Sequence, residues 1–255
     1  MKEFFILQRP SKYYDMNNFE QFVPIIITII ILLSLIIYKN KIRNNSKIEK
    51  LIRYSLTIIS LAIFMLYYLI IWTIIGIKLD NLPLHLCYIC NILCVILGFT
   101  KNKKIFNFVI ILGVMGGIGS LVSMDTSLSS MYFKYYQFMI SHISIIIIPI
   151  YFLLIHKYYL YKREVIEVFI VLEILGISMG FFNFIFETNY FFVSFNSNLA
   201  AKGTILEGVG EGYNYFINLE LIAIVYMGFC YLFVKILEEK NNRKSKVLDN
   251  KHDYN

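Results

Sequence analysis

Leu82-Pro83-Leu84-His85-Leu86-Cys87-Tyr88-Ile89-Cys90-Asn91 opens an apolar run that reaches Phe99, and its reading decides the fold. A proline, a histidine and two thiols stand where the pattern is otherwise that of a membrane helix. Polar side chains in lipid are costly unless they are paired or used, so the stretch reads as a membrane segment that doubles as a candidate reactive site. The rest of the chain carries the first half of that reading. Of 255 residues, 58% are hydrophobic and only 16% are charged, against about a quarter charged in ordinary soluble domains. That is the composition of an integral membrane protein.

Working outward from this stretch, seven apolar segments each approach the ~20 residues that cross a bilayer. They are 22–38, 54–77, 82–99, 105–122, 135–155, 165–186 and 213–237. The expected fold is all-α: a polytopic bundle of about seven transmembrane helices, with neighbours antiparallel because most connections are short. Three regions follow. Residues 1–21 form an N-terminal extracellular segment, 22–237 the seven-helix transmembrane domain, and 238–255 a charged cytoplasmic tail, expected to be frayed. Residues 1–21 hold no continuous apolar core and carry Glu3, Asp15 and Glu20, so they do not read as a secretory signal.

The net charge of +7 is spread over short loops, as in headgroup contacts and topology signals, which argues against nucleic acid as a partner. The connections holding Lys39 to Arg53, Lys101 to Lys104 and Lys157 to Arg163, together with the tail, are rich in Lys and Arg. They alternate with connections carrying only Lys78, Lys134 and Lys202. The basic set is expected to face the cytoplasm, with the N-terminus outside and the C-terminus inside. The expected location is the plasma membrane and the expected partners are membrane lipids. The oligomeric state stays open. All four cysteines lie in apolar segments, which argues against a disulfide framework.

Within the fourth span, Gly113 and Gly117 are four apart, as are Gly116 and Ser120, a spacing that lets helix backbones approach closely. The connection 187–212 is long, with Asn189, Asn196, Ser197, Asn198 and Gly203 among its residues; it reads either as a lid or as a surface loop.

Depth singles out two residues. Cys87 lies ~7.5 Å and His142 ~10 Å from the outer starts of their spans, at the helical rise. A thiol and an imidazole brought to one level by separate helices are the minimum for a nucleophile with its base. Asn183 and Glu187 lie four apart at the outer end of the sixth span. Asn214 and Asn218 do the same at the outer start of the seventh, and Gln137 and Ser141 flank His142. Any of them can orient the imidazole or donate to an oxyanion. The alternatives are a buried structural thiol and a hydrogen-bonded core histidine. His85 is about 200° from Cys87 around a regular helix, so it reaches the same point only from an unwound start beside Pro83. Cys90 and Cys94 share the Cys87 face, but one helix gives poor tetrahedral geometry, so no metal is expected and these thiols read as packing. Pro149 should kink the fifth span. Glu173 and Glu220 are deeper carboxylates, open to a packing or a proton-path reading.

Pro83-Leu84-His85-Leu86-Cys87, Ser141-His142 with Pro149 behind it, Asn189-Tyr190, and Ile205-Leu206-Glu207-Gly208-Val209-Gly210 leading through Tyr215 to Leu219-Glu220-Leu221-Ile222-Ala223 resemble the YwaF-type bacterial integral membrane proteins. That group is similar to the transmembrane protein 164 family, regarded as cysteine-dependent acyltransferases moving fatty acyl chains between phospholipids. It is similar in turn to the androgen-induced membrane hydrolases of fatty-acid esters, which use Thr and His. The resemblance implies Cys87 as nucleophile and His142 as base; no cofactor is expected, and Asn189 joins His85, Asn183, Glu187, Asn214 and Asn218 as a binding or orienting candidate. One departure stands out: Gly210-Glu211-Gly212-Tyr213-Asn214 lacks the Pro and Trp expected before the last span. The expected function is a membrane lipid acyltransferase or lipid-ester hydrolase working near the outer leaflet. The alternatives are a small-molecule permease or membrane sensor without catalysis, and a structural partner of another membrane protein.

Overall fold

The computed structural model describes residues 3–5, 17–124, 129–193 and 205–252. Among them the regular structure is helical throughout. The α-helices are α1 (Asn18–Arg43), α2 (Ser46–Ile74), α3 (Leu86–Thr100), α4 (Lys103–Phe108), α5 (Val114–Val122), α6 (Phe133–Ile155), α7 (Lys162–Phe186) and α8 (Gly212–His252). A π-helical turn, Val109–Gly113, joins α4 to α5 without a break. The described residues contain six helices long and apolar enough to cross a membrane, with Lys103–Val122 counted as one. The chain is a multi-pass membrane protein.

The third expected span is the exception. α3 has 15 residues, about 22 Å at the helical rise, short of the ~30 Å hydrocarbon core. Pro83 explains the loss, because the residue before a proline is pushed out of the helical region. Leu82 is extended (φ −76°, ψ 153°) and His85 is extended too (φ −63°, ψ 146°). Helix begins only at Leu86.

Asparagines set several starts. The Asn45 side chain accepts from the Lys47 and Ile48 amides, and Asn102 accepts from those of Lys104 and Ile105. These are N-caps, and each satisfies donors the first helical turn leaves open. Capping at Asn45 starts α2 eight residues before the expected 54, which draws Glu49 and Arg53 into the helix. The charged tail, expected to be frayed, is instead the continuation of α8 to His252. Its Glu, Lys and Arg residues are good helix formers. Residues 1–2, 6–16, 125–128, 194–204 and 253–255 lie outside the described set, and with them Asp15, Asn196, Ser197, Asn198, Lys202 and Gly203.

α6 is the centre. It is buried along nearly its whole length and packs against α1, α2, α3 and α5. Ile145, Ile146, Ile147, Ile148, Tyr151 and Phe152 are almost fully enclosed. Around it, α1, α7 and α8 turn apolar residues outward: Ile29, Leu33 and Ile37; Ile170, Ile174 and Phe181; Leu221, Val225 and Phe229. In water such a surface would be an aggregation liability; here it is the lipid-facing coat. Pro149 removes the amide that would bond the Ile145 carbonyl. That carbonyl faces Gly113 of the π-turn, where an added Cβ would sit 3.2 Å from it.

At the opposite end from Cys87, several basic residues expected to meet headgroups are turned inward. Arg53, 3% exposed, donates from Nε to Glu49 Oε1 (2.7 Å) and from Nη1 to the Gly98 carbonyl (2.6 Å). The same Glu49 oxygen accepts from His156 Nε2 (2.9 Å) and lies 3.6 Å from Lys101 Nζ. Tyr151 donates its hydroxyl to the Glu49 carbonyl (3.0 Å). Arg43 donates to the Leu154 carbonyl, and Lys103 to Asn107, Tyr159 and Glu164. These cations face inward because the bundle's own carbonyls and carboxylates lie within reach and satisfy them.

Candidate functional site

The two small-residue pairs of the fourth span lie on different faces of α5 and its π-turn, and each receives a different helix. Gly113 and Gly117 receive α6. A Cβ on Gly117 would stand 3.1 Å from the His142 carbonyl oxygen and 2.6 Å from Ile146 Cγ1. Gly116 and Ser120 receive α3. A Cβ on Gly116 would stand 3.2 Å from Cys87 Sγ, and Ser120 Oγ lies 3.9 Å from the same sulfur. One turn of helix, 116–120, therefore seats both the thiol and the backbone of the histidine.

Cys87 is half-buried, with Ser120 as its polar neighbour. His142 is buried and packs on Phe138, with ring centroids 4.0 Å apart. Its Nδ1–H donates to the Phe138 carbonyl at 2.8 Å. A hydrogen bond of this kind fixes the neutral tautomer and leaves Nε2 as the acceptor. Gln137 Nε2 donates to Ser141 Oγ (3.1 Å), so these two flanking residues satisfy each other. Among the described residues no hydrogen bond joins Cys87 to His142. Cys90 and Cys94 are fully buried in the core, Cys90 beside Gly113. Among the described residues no three His, Cys, Asp or Glu side chains gather as a metal site.

His85 ends in the unwound start, as Pro83 requires, and caps α3 with its backbone rather than its ring. The imidazole packs instead on Tyr190 (5.0 Å between centroids), Phe192 (5.5 Å) and Tyr88 (6.3 Å). These rings form a roof over the beginning of α3. Tyr190 holds it together: its hydroxyl donates to the Leu79 carbonyl (2.7 Å) and accepts from the Leu82 amide (2.9 Å). Asn183 fixes Tyr190 in turn. Its Nδ2–H donates to the Tyr190 carbonyl (2.8 Å), and its Oδ1 accepts from the Tyr190 amide (2.8 Å) and the Thr188 hydroxyl (2.9 Å). Phe191 and Phe192 both take positive φ, 58° and 57°, which costs an L-residue about 1–2 kcal/mol. The Asn183 bonds, and the Tyr215 hydroxyl donating to the Phe192 carbonyl (2.9 Å), hold the turn in place.

The remaining candidates sit in or beside this scaffold. Glu187 is the exposed, left-handed C-cap of α7. Asn189 precedes the turn Tyr190–Phe192. Asn218 donates to the Val209 carbonyl (2.7 Å), and Asn214 is exposed one turn earlier on α8. Among the described residues the polar partners of Cys87 and His142 are Ser120 and the Phe138 carbonyl rather than any of these four. Glu173 and Glu220 hydrogen-bond each other between α7 and α8.

Two side chains near Cys87 escaped the sequence reading. Spacing marks Ser120 only as a small residue, whereas its hydroxyl is the polar neighbour of the thiol. Asn91, four residues after Cys87, is 1% exposed. Its Oδ1 accepts from Ser60 Oγ at 3.3 Å, and its Nδ2 has no partner among the described residues. An asparagine inside an apolar run was the available signal.

No curated protein and no solved structure matches the chain. The family model of the TMEM164 family matches residues 13–231, which takes in the glycine-seated thiol, the histidine helix and the tyrosine-held roof. The chain belongs to the TMEM164 family.

Proposed function

We propose that this protein, a YwaF-type bacterial member of its family, transfers or hydrolyses fatty acyl groups of membrane lipids near the outer leaflet of the plasma membrane. Cys87 is the nucleophile and His142 its base. One observation carries the reading: α5 seats Cys87 Sγ at Gly116 and Ser120 and the His142 backbone at Gly117, while the Phe138 carbonyl occupies Nδ1 and leaves Nε2 free to take a proton. The absence of a Cys87–His142 hydrogen bond is compatible with this, because catalytic hydrogen bonds in unliganded enzymes are often long and tighten on the substrate.

The chemistry balances without a cofactor. His142 Nε2 takes the thiol proton. The thiolate attacks the ester carbonyl carbon, and the carbonyl π pair moves to oxygen. Collapse re-forms the carbonyl and breaks the ester C–O bond. The proton on Nε2 passes to the departing lysolipid oxygen, leaving a Cys87 thioester. An acceptor hydroxyl or water then gives its proton to Nε2 and attacks the thioester, and the C–S bond breaks. The proton returns to sulfur.

The test is acylation of the full-length protein in vesicles of phosphatidylcholine bearing an alkyne-tagged acyl chain. Hydroxylamine-sensitive label should appear on Cys87 and be absent from Cys87→Ser. His142→Ala should slow its appearance by about 10²–10⁴-fold, the usual contribution of a general base. Label that persists in Cys87→Ser, or a rate indifferent to His142→Ala, overturns the mechanism.

A further inference from the structure

We infer that Asn91 is the oxyanion donor of the acyl-transfer site. The inference rests on the Cys87 reading and extends it. Asn91 and Cys87 are four apart on α3, so their side chains stack on one face of the helix. Asn91 is 1% exposed, and its Nδ2 is the buried side-chain N or O atom that lacks any hydrogen-bond partner among the described residues. Its other amide atom is engaged: Oδ1 accepts from Ser60 Oγ on α2. That bond holds the amide by its oxygen, and its two N–H groups have no acceptor among the described residues.

A buried amide donor without an acceptor is rare in folded proteins and calls for an explanation. Attack by sulfur on an ester creates the acceptor it lacks. When the carbonyl π pair moves to oxygen, the new anion needs a donor held ready in a water-poor site, where such a bond is worth most. Asn91 offers an uncharged N–H on the same face of α3 as Cys87, one helical turn along. Ser60 is the positioning residue, because its hydroxyl holds the amide by Oδ1.

The experiment separates an oxyanion role from a structural one by giving Cys87 two reactions. Acylation by the alkyne-tagged phosphatidylcholine passes through a tetrahedral oxyanion. Alkylation by iodoacetamide is a direct displacement and forms none. In the full-length protein in vesicles, Asn91→Leu, and independently Asn91→Ala, should slow acylation of Cys87 by about 10²–10³-fold while leaving its alkylation rate within about threefold. Ser60→Ala should slow acylation by a smaller factor. Equal losses in both reactions mean that Asn91 only supports the fold, and unchanged acylation means that it does not meet the oxyanion. Either result overturns the inference and leaves the Cys87 mechanism standing. A wild-type protein that alkylates at Cys87 but never acylates there removes the mechanism and the inference together.

Discussion

Replacing Gly117 with alanine tests the seat on which the site is built. The added methyl would stand 2.6 Å from Ile146 Cγ1, 3.1 Å from Ile145 Cγ1 and 3.1 Å from the His142 carbonyl. Ordinary contact needs about 3.5 Å, so α6 has to move by several tenths of an ångström. The isoleucines cannot swing clear, since both are 1% exposed. Overpacking of this kind costs about 1–3 kcal/mol. Gly119, two residues on, has nothing within 4 Å of an added Cβ, and alanine there should gain about 1 kcal/mol of helix propensity. The propensity gain is common to both glycines, so at about 2–4 °C per kcal/mol for a chain of this size Gly117→Ala should melt about 2–12 °C below Gly119→Ala and up to about 8 °C below the wild type. Gly119→Ala should melt at or slightly above it. The assay is heating in detergent, followed by size-exclusion chromatography to measure the surviving monodisperse fraction. Lipid acylation at Cys87 should fall in the first variant and not in the second. If the two variants melt alike, α5 and α6 do not pack through this glycine and the account of the site is wrong.

Two further predictions concern the ends of the bundle. Asn183→Ala removes three hydrogen bonds to Tyr190 and Thr188, each worth about 1 kcal/mol net. Exchange of the Tyr190 amide, followed by mass spectrometry in vesicles, should quicken at least tenfold; unchanged protection would refute the claim that Asn183 holds the roof. At the other end, burial pushes His156 below the usual imidazole range, and the charge of Lys101 adds to this against the pull of Glu49. The unfolded chain therefore binds more protons than the folded one between the folded value and ~6.5. This contribution is complete above ~6.5 and is lost as the pH falls through that window. His156→Gln should flatten the acid slope of thermal survival between pH 7 and 5, and a variant with the wild-type slope would refute the assignment.

Much of the architecture is legible from composition and run length, because crossing lipid demands about twenty apolar residues and leaves a plain signature. Six segments obey it. The third fails for a reason visible in the sequence, since Pro83 delays the helix to Leu86 and leaves His85 outside it. Other features turn on side-chain direction, which counting cannot supply. Arg53 and Lys103 contribute to a basic loop tally whether they face headgroups or a buried carboxylate. Their use inside the bundle depends on Glu49 and Glu164 lying within reach across the fold. Asn183 shows the same limit, because at the outer end of a span it is equally suited to a ligand and to a turn. Its three bonds assign it to the turn. The small residues of 113–120 gave a spacing, but not which neighbour each pair would receive.

The π-turn at Val109–Gly113 carries a consequence for how this segment tolerates changes in length. A π-turn accommodates one residue more than the α-helical path around it, and each residue advances an α-helix by about 100°. Phe106 and Asn107 are anchored in the core before the turn, and the glycine seats lie after it. Deleting one residue here would restore a regular helix that still spans the bilayer. The second half would keep its phase, because the turn already takes up the extra residue, and the seats of the thiol and the histidine would keep their neighbours. The turn works as slack between two halves of one rod: a single-codon deletion there should spare the site, whereas one residue more has nothing left to absorb it and should swing the seats by about 100°.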